Sequence, residues 1–193
     1  MTGNWLADNY IEILGVATSL VYLYFSVRQI IWLWPFGILS SALFIYIFYR
    51  TGFYADMSLQ GYYLLVSIYG WYYWVYGAHD PDVAQVPVTR IRSKPAIILL
   101  GLFVILWLGI ALILIYLTDS DIPWGDAFTT AGSIIATWML ARKILEHWLV
   151  WIIVDTTAAS LYLYKHMYPT VFLYIVFTII AVVGFYQWKK KLT

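Results

Sequence analysis

Cysteine is absent from the chain, so no disulfide can staple it and no thiolate can act as nucleophile or metal ligand. Charge is scarce as well: 11% of the residues are Asp, Glu, Lys or Arg, against about 25% in soluble domains. The acidic groups are too few and scattered for a convergent acid–base set, which leaves a membrane-embedded enzyme only as a rival reading. The three histidines, His79, His147 and His166, fall in separate segments without zinc or magnesium spacing. Neither G-x-x-x-x-G-K-[ST] nor G-x-G-x-x-G occurs, which excludes a self-contained ATP-driven pump and gives no reason to expect a cofactor. The N-terminus carries Asp8 and Glu12 in place of a basic signal region, so the first span is expected to serve as its own insertion signal.

What remains is apolar and aromatic: 63% hydrophobic and 20% aromatic over 193 residues, with a mean hydropathy of +0.79. Spans of about 20 residues can be drawn seven times, at Tyr10–Val27, Ile30–Tyr49, Leu59–Tyr76, Pro95–Leu117, Ala127–Ala141, Trp148–Tyr164 and Pro169–Trp188. The first and fifth are short and should extend into their flanks or kink. The fourth has no charged or amide side chain, the mark of a lipid-facing or linking helix. The expected fold is an all-α membrane protein of seven transmembrane helices in one transport domain.

An odd number of spans puts the termini on opposite sides. One side collects Arg28, Arg90, Arg92, Lys94, Arg142, Lys143, Lys189, Lys190 and Lys191, and the other only Arg50 and Lys165. That asymmetry predicts a cytoplasmic C-terminus and an external N-terminus. The loop Gly77–Lys94, with His79, Asp80 and Asp82, is expected to be a solvated cytoplasmic linker.

A shift of 114 residues lays the first three spans on the last three without a gap from Arg28 to Trp74. Arg28 then meets Arg142, Trp34 meets Trp148, Gly70 meets Gly184 and Trp74 meets Trp188. A three-helix repeat (10–76), a connecting helix (95–117) and a second repeat (127–188) make a 3+1+3 parallel-repeat architecture. Transporters built from such repeats hold substrate near the midplane.

Asp155 stands in mid-span, where a lone carboxylate costs roughly 2.5–3.5 kcal/mol on insertion scales. It suits either a hydrogen bond to a neighbouring span or a ligand. His147, Trp148, Trp151 and Asp155 form one helical stripe. An acid beside indole faces fits a flat organic cation through charge and cation–π attraction. The two tryptophans also suit an interfacial belt, although Trp151 lies a turn deeper. Arg142 and Glu146, four apart, are expected to form a gate or structural pair. Gln60, Tyr63 and Ser67 share a face, and the repeat sets Gln60 at the register of Tyr174. The expected substrate residues are Trp34, Gln60, Tyr63, His147, Trp148, Trp151, Asp155 and Tyr174, with no catalytic or metal-binding residue.

Three stretches together resemble the Pnu family of bacterial vitamin transporters. They are Trp34-Pro-Phe-Gly37, then Gly52-Phe-Tyr-Ala-Asp56 with Tyr69-Gly-Trp71, and Arg142-Lys-Ile-Leu-Glu146-His-Trp148-Leu-Val-Trp151. The resemblance implies a SWEET-like arrangement of helices in the inner membrane and facilitated diffusion, with cytoplasmic phosphorylation trapping the product. Its branches imply nicotinamide riboside, thiamine or riboflavin as substrate. Nicotinamide riboside members carry Asn where this chain has His147, and the span before it has no Gln or Asn. Thiamine is therefore the expected substrate, with nicotinamide riboside the alternative and riboflavin a further one. The partners implied are a small-molecule vitamin and the bilayer, not nucleic acid, and nothing in the pattern opposes a homo-oligomer.

Overall fold

The computed structural model describes residues 10–78 and 86–192. Asp8 and the linker residues His79, Asp80 and Asp82 lie outside that range. Seven helices occupy the described residues: α1 Tyr10–Arg28, α2 Leu33–Thr51, α3 Tyr54–Tyr76, α4 Ser93–Leu117, α5 Pro123–Ala141, α6 His147–Tyr164 and α7 Tyr168–Lys189. Of these, α2, α4 and α7 are long and apolar enough to cross a membrane by length and composition. The fifth span does extend upstream, starting at Pro123, whose missing N–H costs nothing at a helix start. The third begins at Tyr54, because the turn at Gly52 stops α2 and the chain re-enters helix at once.

Contacts divide the chain into two compact units, Met1–Val86 and Pro87–Thr193. Within the first, α2 packs against both α1 and α3. Within the second, α4 packs on α5, α5 on α6, and α6 on α7.

The helix ends carry the same shift of 114. Gln29, Lys143 and His166 have left-handed backbones at φ 57, 53 and 57, and Gly52 has φ 78. Gln29 stands to Lys143, and Gly52 to His166, as one repeat position to the next. Each ends its helix in a Schellman turn. The N–H of Gln29 donates to Ser26 O at 3.1 Å and that of Ile30 to Phe25 O at 2.9 Å. The N–H of Lys143 donates to Leu140 O at 2.9 Å and that of Ile144 to Met139 O at 3.0 Å. Three of the four positions are not glycine, and a left-handed residue with a side chain costs about 1–2 kcal/mol. The paired hydrogen bonds hold them there.

Lipid removes the hydrophobic drive between helices, so close packing must supply the cohesion. Each unit achieves this with a glycine notch. A Cβ on Gly70 would run into the Trp34 ring, and one on Gly184 would stand only 2.6 Å from the Trp148 ring. Trp34 meets Trp74 edge-on at 5.4 Å, and Trp148 meets Trp188 edge-on at 5.9 Å. All four tryptophans are buried.

One feature departs from the sequence expectations. The described end of the linker is docked, not solvated. Thr89 N–H donates to Lys143 O at 3.0 Å, Leu145 N–H donates to Thr89 O at 2.9 Å, and Val88 bridges to Leu192. Only isolated bridges form there, too short to leave a strand pattern in the sequence. Helix α4 faces outward along most of its length, with Ile97, Ile105 and Tyr116 exposed. Its inner side is specific: Trp107 Nε1–H donates to Trp124 O at 3.0 Å and its ring meets Phe128 edge-on at 5.7 Å.

Candidate substrate site

Asp155 lies on α6, 5% exposed, and makes no hydrogen bond or ion pair with any described residue. A carboxylate enclosed in that way needs a counter-charge or a donor from elsewhere. Trp151, one turn before it and half-buried, presents an indole on the same helical face. This acid–indole pair is the second unit's candidate for meeting a ligand. Tyr174 of α7 is half-buried and stacks on Tyr162 at 5.3 Å, with the planes 21° apart.

Trp148 and His147 occupy a sealed place instead. The Trp148 ring fills the Gly184 notch, and His147 lies between Trp148 at 4.5 Å and Trp188 at 4.6 Å. His147 is fully buried, with Nδ1 2.7 Å from Ile144 O. A carbonyl only accepts, so Nδ1 carries the hydrogen and Nε2 is left an acceptor. Nε2 has no partner, and neither do the indole N–H groups of Trp148 and Trp34. Trp34 is enclosed in the same way in the first unit. These three residues therefore pack the helices together; of the rest of the stripe, Trp151 is half-buried and Asp155 is buried without a partner among the described residues.

Glu146 is a strut. Its Oε2 accepts the Ile91 N–H at 2.9 Å, tying the linker to the start of α6. Arg142, half-buried, directly follows the end of α5. Lys143 is buried, and burial, with the charge of Lys191 second, pushes its ammonium pKa down to about 8.

In the first unit Gln60, Tyr63 and Ser67 do share a face of α3, with Gln60 and Tyr63 half-buried. Sequence reasoning passed over the residues beside them. A Cβ on Gly37 would stand 2.9 Å from Ser67 Oγ and 3.1 Å from the Tyr22 ring. Three helices thus converge at one small residue, and Ser41 follows a turn later, 4% exposed. Applying the shift of 114 to Asp155 leads to Ser41, a signal that was available in the sequence.

A family described as nicotinamide mononucleotide transporter matches residues 9–190. The chain belongs to that family. Its relatives include the nicotinamide riboside transporter PnuC of Escherichia coli, 24% identical and covering 93% of this chain and 85% of that one. The riboflavin/roseoflavin transporter RibM of Streptomyces davaonensis is 26% identical, covering 92% and 83%. Among solved structures, the crystal structure of the vitamin B3 transporter PnuC matches with a TM-score of 0.73 at 21% identity, over 97% of this chain and 84% of that one. That likeness shows the fold. The resemblance to the Pnu family thus holds, and the family and its neighbours are transporters, not enzymes. Thiamine finds no support, since these relatives are named for nicotinamide riboside and riboflavin.

Proposed function

We propose that this chain carries nicotinamide riboside across a bacterial inner membrane by facilitated diffusion, with phosphorylation in the cytoplasm trapping the product. Membership of the family supports vitamin transport. The observation that favours a cationic vitamin is Asp155, enclosed on α6 without a partner among the described residues and one turn from the half-buried Trp151. The pyridinium of nicotinamide riboside offers the positive charge and the flat face that such a pair attracts. Trp151 would stack on the ring and Asp155 would neutralise it, while Tyr174 of α7 offers an aromatic contact.

The reading also places the N-terminus outside and the C-terminus in the cytoplasm, from the distribution of the basic residues. It takes the helices as a 3+1+3 parallel repeat. Matched Schellman turns and matched tryptophan–glycine notches in the two units support that repeat.

Riboflavin is the second reading, favoured by the likeness to RibM. It is neutral, so it has no use for a counter-charge at Asp155. Uptake of nicotinamide riboside, riboflavin and thiamine into proteoliposomes separates the readings. Saturable uptake of nicotinamide riboside, with thiamine excluded, is the expected result. Uptake of riboflavin alone would replace the first reading with the second, and uptake of none would reject vitamin transport.

A further inference from the structure

Three segments of the second unit come together at one end of its helices, and all three are basic. The segment before α4 joins the others: Thr89 bridges to Ile144 beyond the end of α5, and Val88 bridges to Leu192 just past α7. Lys191 stands near enough to Lys143 for its charge to help lower the Lys143 pKa to about 8. Arg90, Arg92 and Lys94 therefore gather with Lys189, Lys190 and Lys191. All six are exposed, and none makes an ion pair with any described residue. Glu146 is the single carboxylate in the segments that meet there, and its Oε2 already accepts the Ile91 N–H. Like charges crowded in this way repel one another, and an anion from outside relieves them. The scaffold does not demand these cations. The shift of 114 sets Val75-Tyr76-Gly77 against Lys189-Lys190-Lys191, and Gln29 against Lys143. Of the two copies, only the second is charged at those positions.

We propose that this end of the second unit is a docking surface for the phosphate headgroup of an anionic phospholipid. Its surroundings fit a lipid better than a free phosphate. Lys94 stands in the first turn of α4 and Lys189 closes α7, and both helices are long and apolar enough to cross a membrane. Within two turns of those lysines the exposed side chains are apolar or aromatic: Ile97 and Ile98 on α4, Val183 and Tyr186 on α7. A headgroup held at the basic rim would lay its acyl chains along that outward surface. Clusters of about four to eight Lys or Arg beside a span attract anionic lipid, each residue adding about five-fold in affinity. The inference goes beyond the transport reading and does not depend on which vitamin is carried.

The test is energy transfer from the protein's tryptophans to an acyl-labelled dansyl lipid, with the full-length chain in non-ionic micelles. Phosphatidylglycerol is compared with phosphatidylcholine carrying the same label. Wild type should prefer phosphatidylglycerol at least ten-fold, and raising the salt from about 0.05 M to about 0.5 M should erode that preference. Lys189→Gln/Lys190→Gln/Lys191→Gln should lower the preference at least five-fold. Lys165→Gln, at an exposed lysine of the opposite end, should leave it within two-fold. Arg90→Gln/Arg92→Gln reads the same surface if the triple variant fails to fold. Equal binding of the two lipids by wild type, a preference untouched by salt or by these variants, or an equal loss in Lys165→Gln overturns the site. Inorganic phosphate, added at constant ionic strength, should leave the lipid in place. Complete displacement would assign the surface to a soluble phosphate and overturn the lipid.

Discussion

The two three-helix groups, α1–α3 and α5–α7, share a scaffold and differ in what it holds. Left-handed turns fall at matched positions, Gln29 with Lys143 and Gly52 with His166. A buried tryptophan fills a glycine notch in each, Trp34 at Gly70 and Trp148 at Gly184. At the buried position just before that tryptophan, the first group has Leu33 and the second His147. Two turns beyond that tryptophan the contents diverge further, to Ser41 in one copy and Asp155 in the other. The packing tryptophans and glycines are common to both copies, and the buried polar positions differ. Identity between the repeats therefore marks scaffold, while of the differences at buried registers His147 is packing and Asp155 is the one proposed to meet the ligand.

The largest effect should come from breaking the shared part. Gly70→Leu and Gly184→Leu each drive a side chain into a buried indole, and even one added methylene group in a packed core costs about 1–3 kcal/mol. Both variants should lose the folded state in mild detergent, to a similar extent. Fluorescence-detected size exclusion with a melting ramp checks this, and one tolerated substitution would end the equivalence of the two notches.

A smaller loss is expected at the divergent part. Trp151→Ala should weaken binding of nicotinamide riboside by roughly 0.5–2 kcal/mol, the worth of one cation–π wall. Trp71→Ala, at an exposed tryptophan of α3, should leave it unchanged. Trp107 would be a poor control, because its hydrogen bond to Trp124 O makes it structural. Equal affinities in the Trp151 and Trp71 variants would reduce Trp151 to packing.

His147→Leu copies the first repeat into the second. It removes the hydrogen bond to Ile144 O, worth about 0.5–1.5 kcal/mol, and also removes an unpartnered buried nitrogen. Stability should change by no more than about 1 kcal/mol by that balance, and affinity should hold. A collapse of affinity in a stable variant would return His147 to the ligand.

The subtlest effect concerns pH. The folded pKa of Lys143, about 8, lies below its ordinary value of 10.5. Between those values the unfolded chain holds more protons, so this group makes stability rise as pH rises through that window. Lys143→Gln, which copies Gln29, should flatten that part of a melting-temperature profile. An unchanged slope would mean that Lys143 keeps its proton in the fold.

Much of this was legible in the residues, and the failures have physical causes. Apolar runs located all seven helices, and the shift of 114 exposed the repeat, including both notch glycines and the tryptophans a turn beyond them. That Trp34 and Trp148 fill those notches was not legible, since the partners stand 36 residues apart in each copy. The turns at Gln29, Lys143 and His166 use no glycine and so leave no mark. The Glu146–Ile91 contact joins a side chain to a backbone N–H, which any residue but proline supplies. Ser41 was passed over beside Ser40, although the shift of 114 from Asp155 leads to it.

The central claim is that Asp155 supplies the counter-charge for a transported vitamin cation. Initial uptake rates into proteoliposomes, for wild type and Asp155→Asn, test it with nicotinamide riboside and riboflavin side by side. The substitution keeps the shape and removes the charge. Uptake of nicotinamide riboside should fall by about ten-fold or more, since each 1.4 kcal/mol of lost binding is a factor of ten. Any riboflavin uptake should fall much less, and the melting temperature should hold or rise. Unchanged uptake of nicotinamide riboside by a stably folded Asp155→Asn protein would contradict the claim.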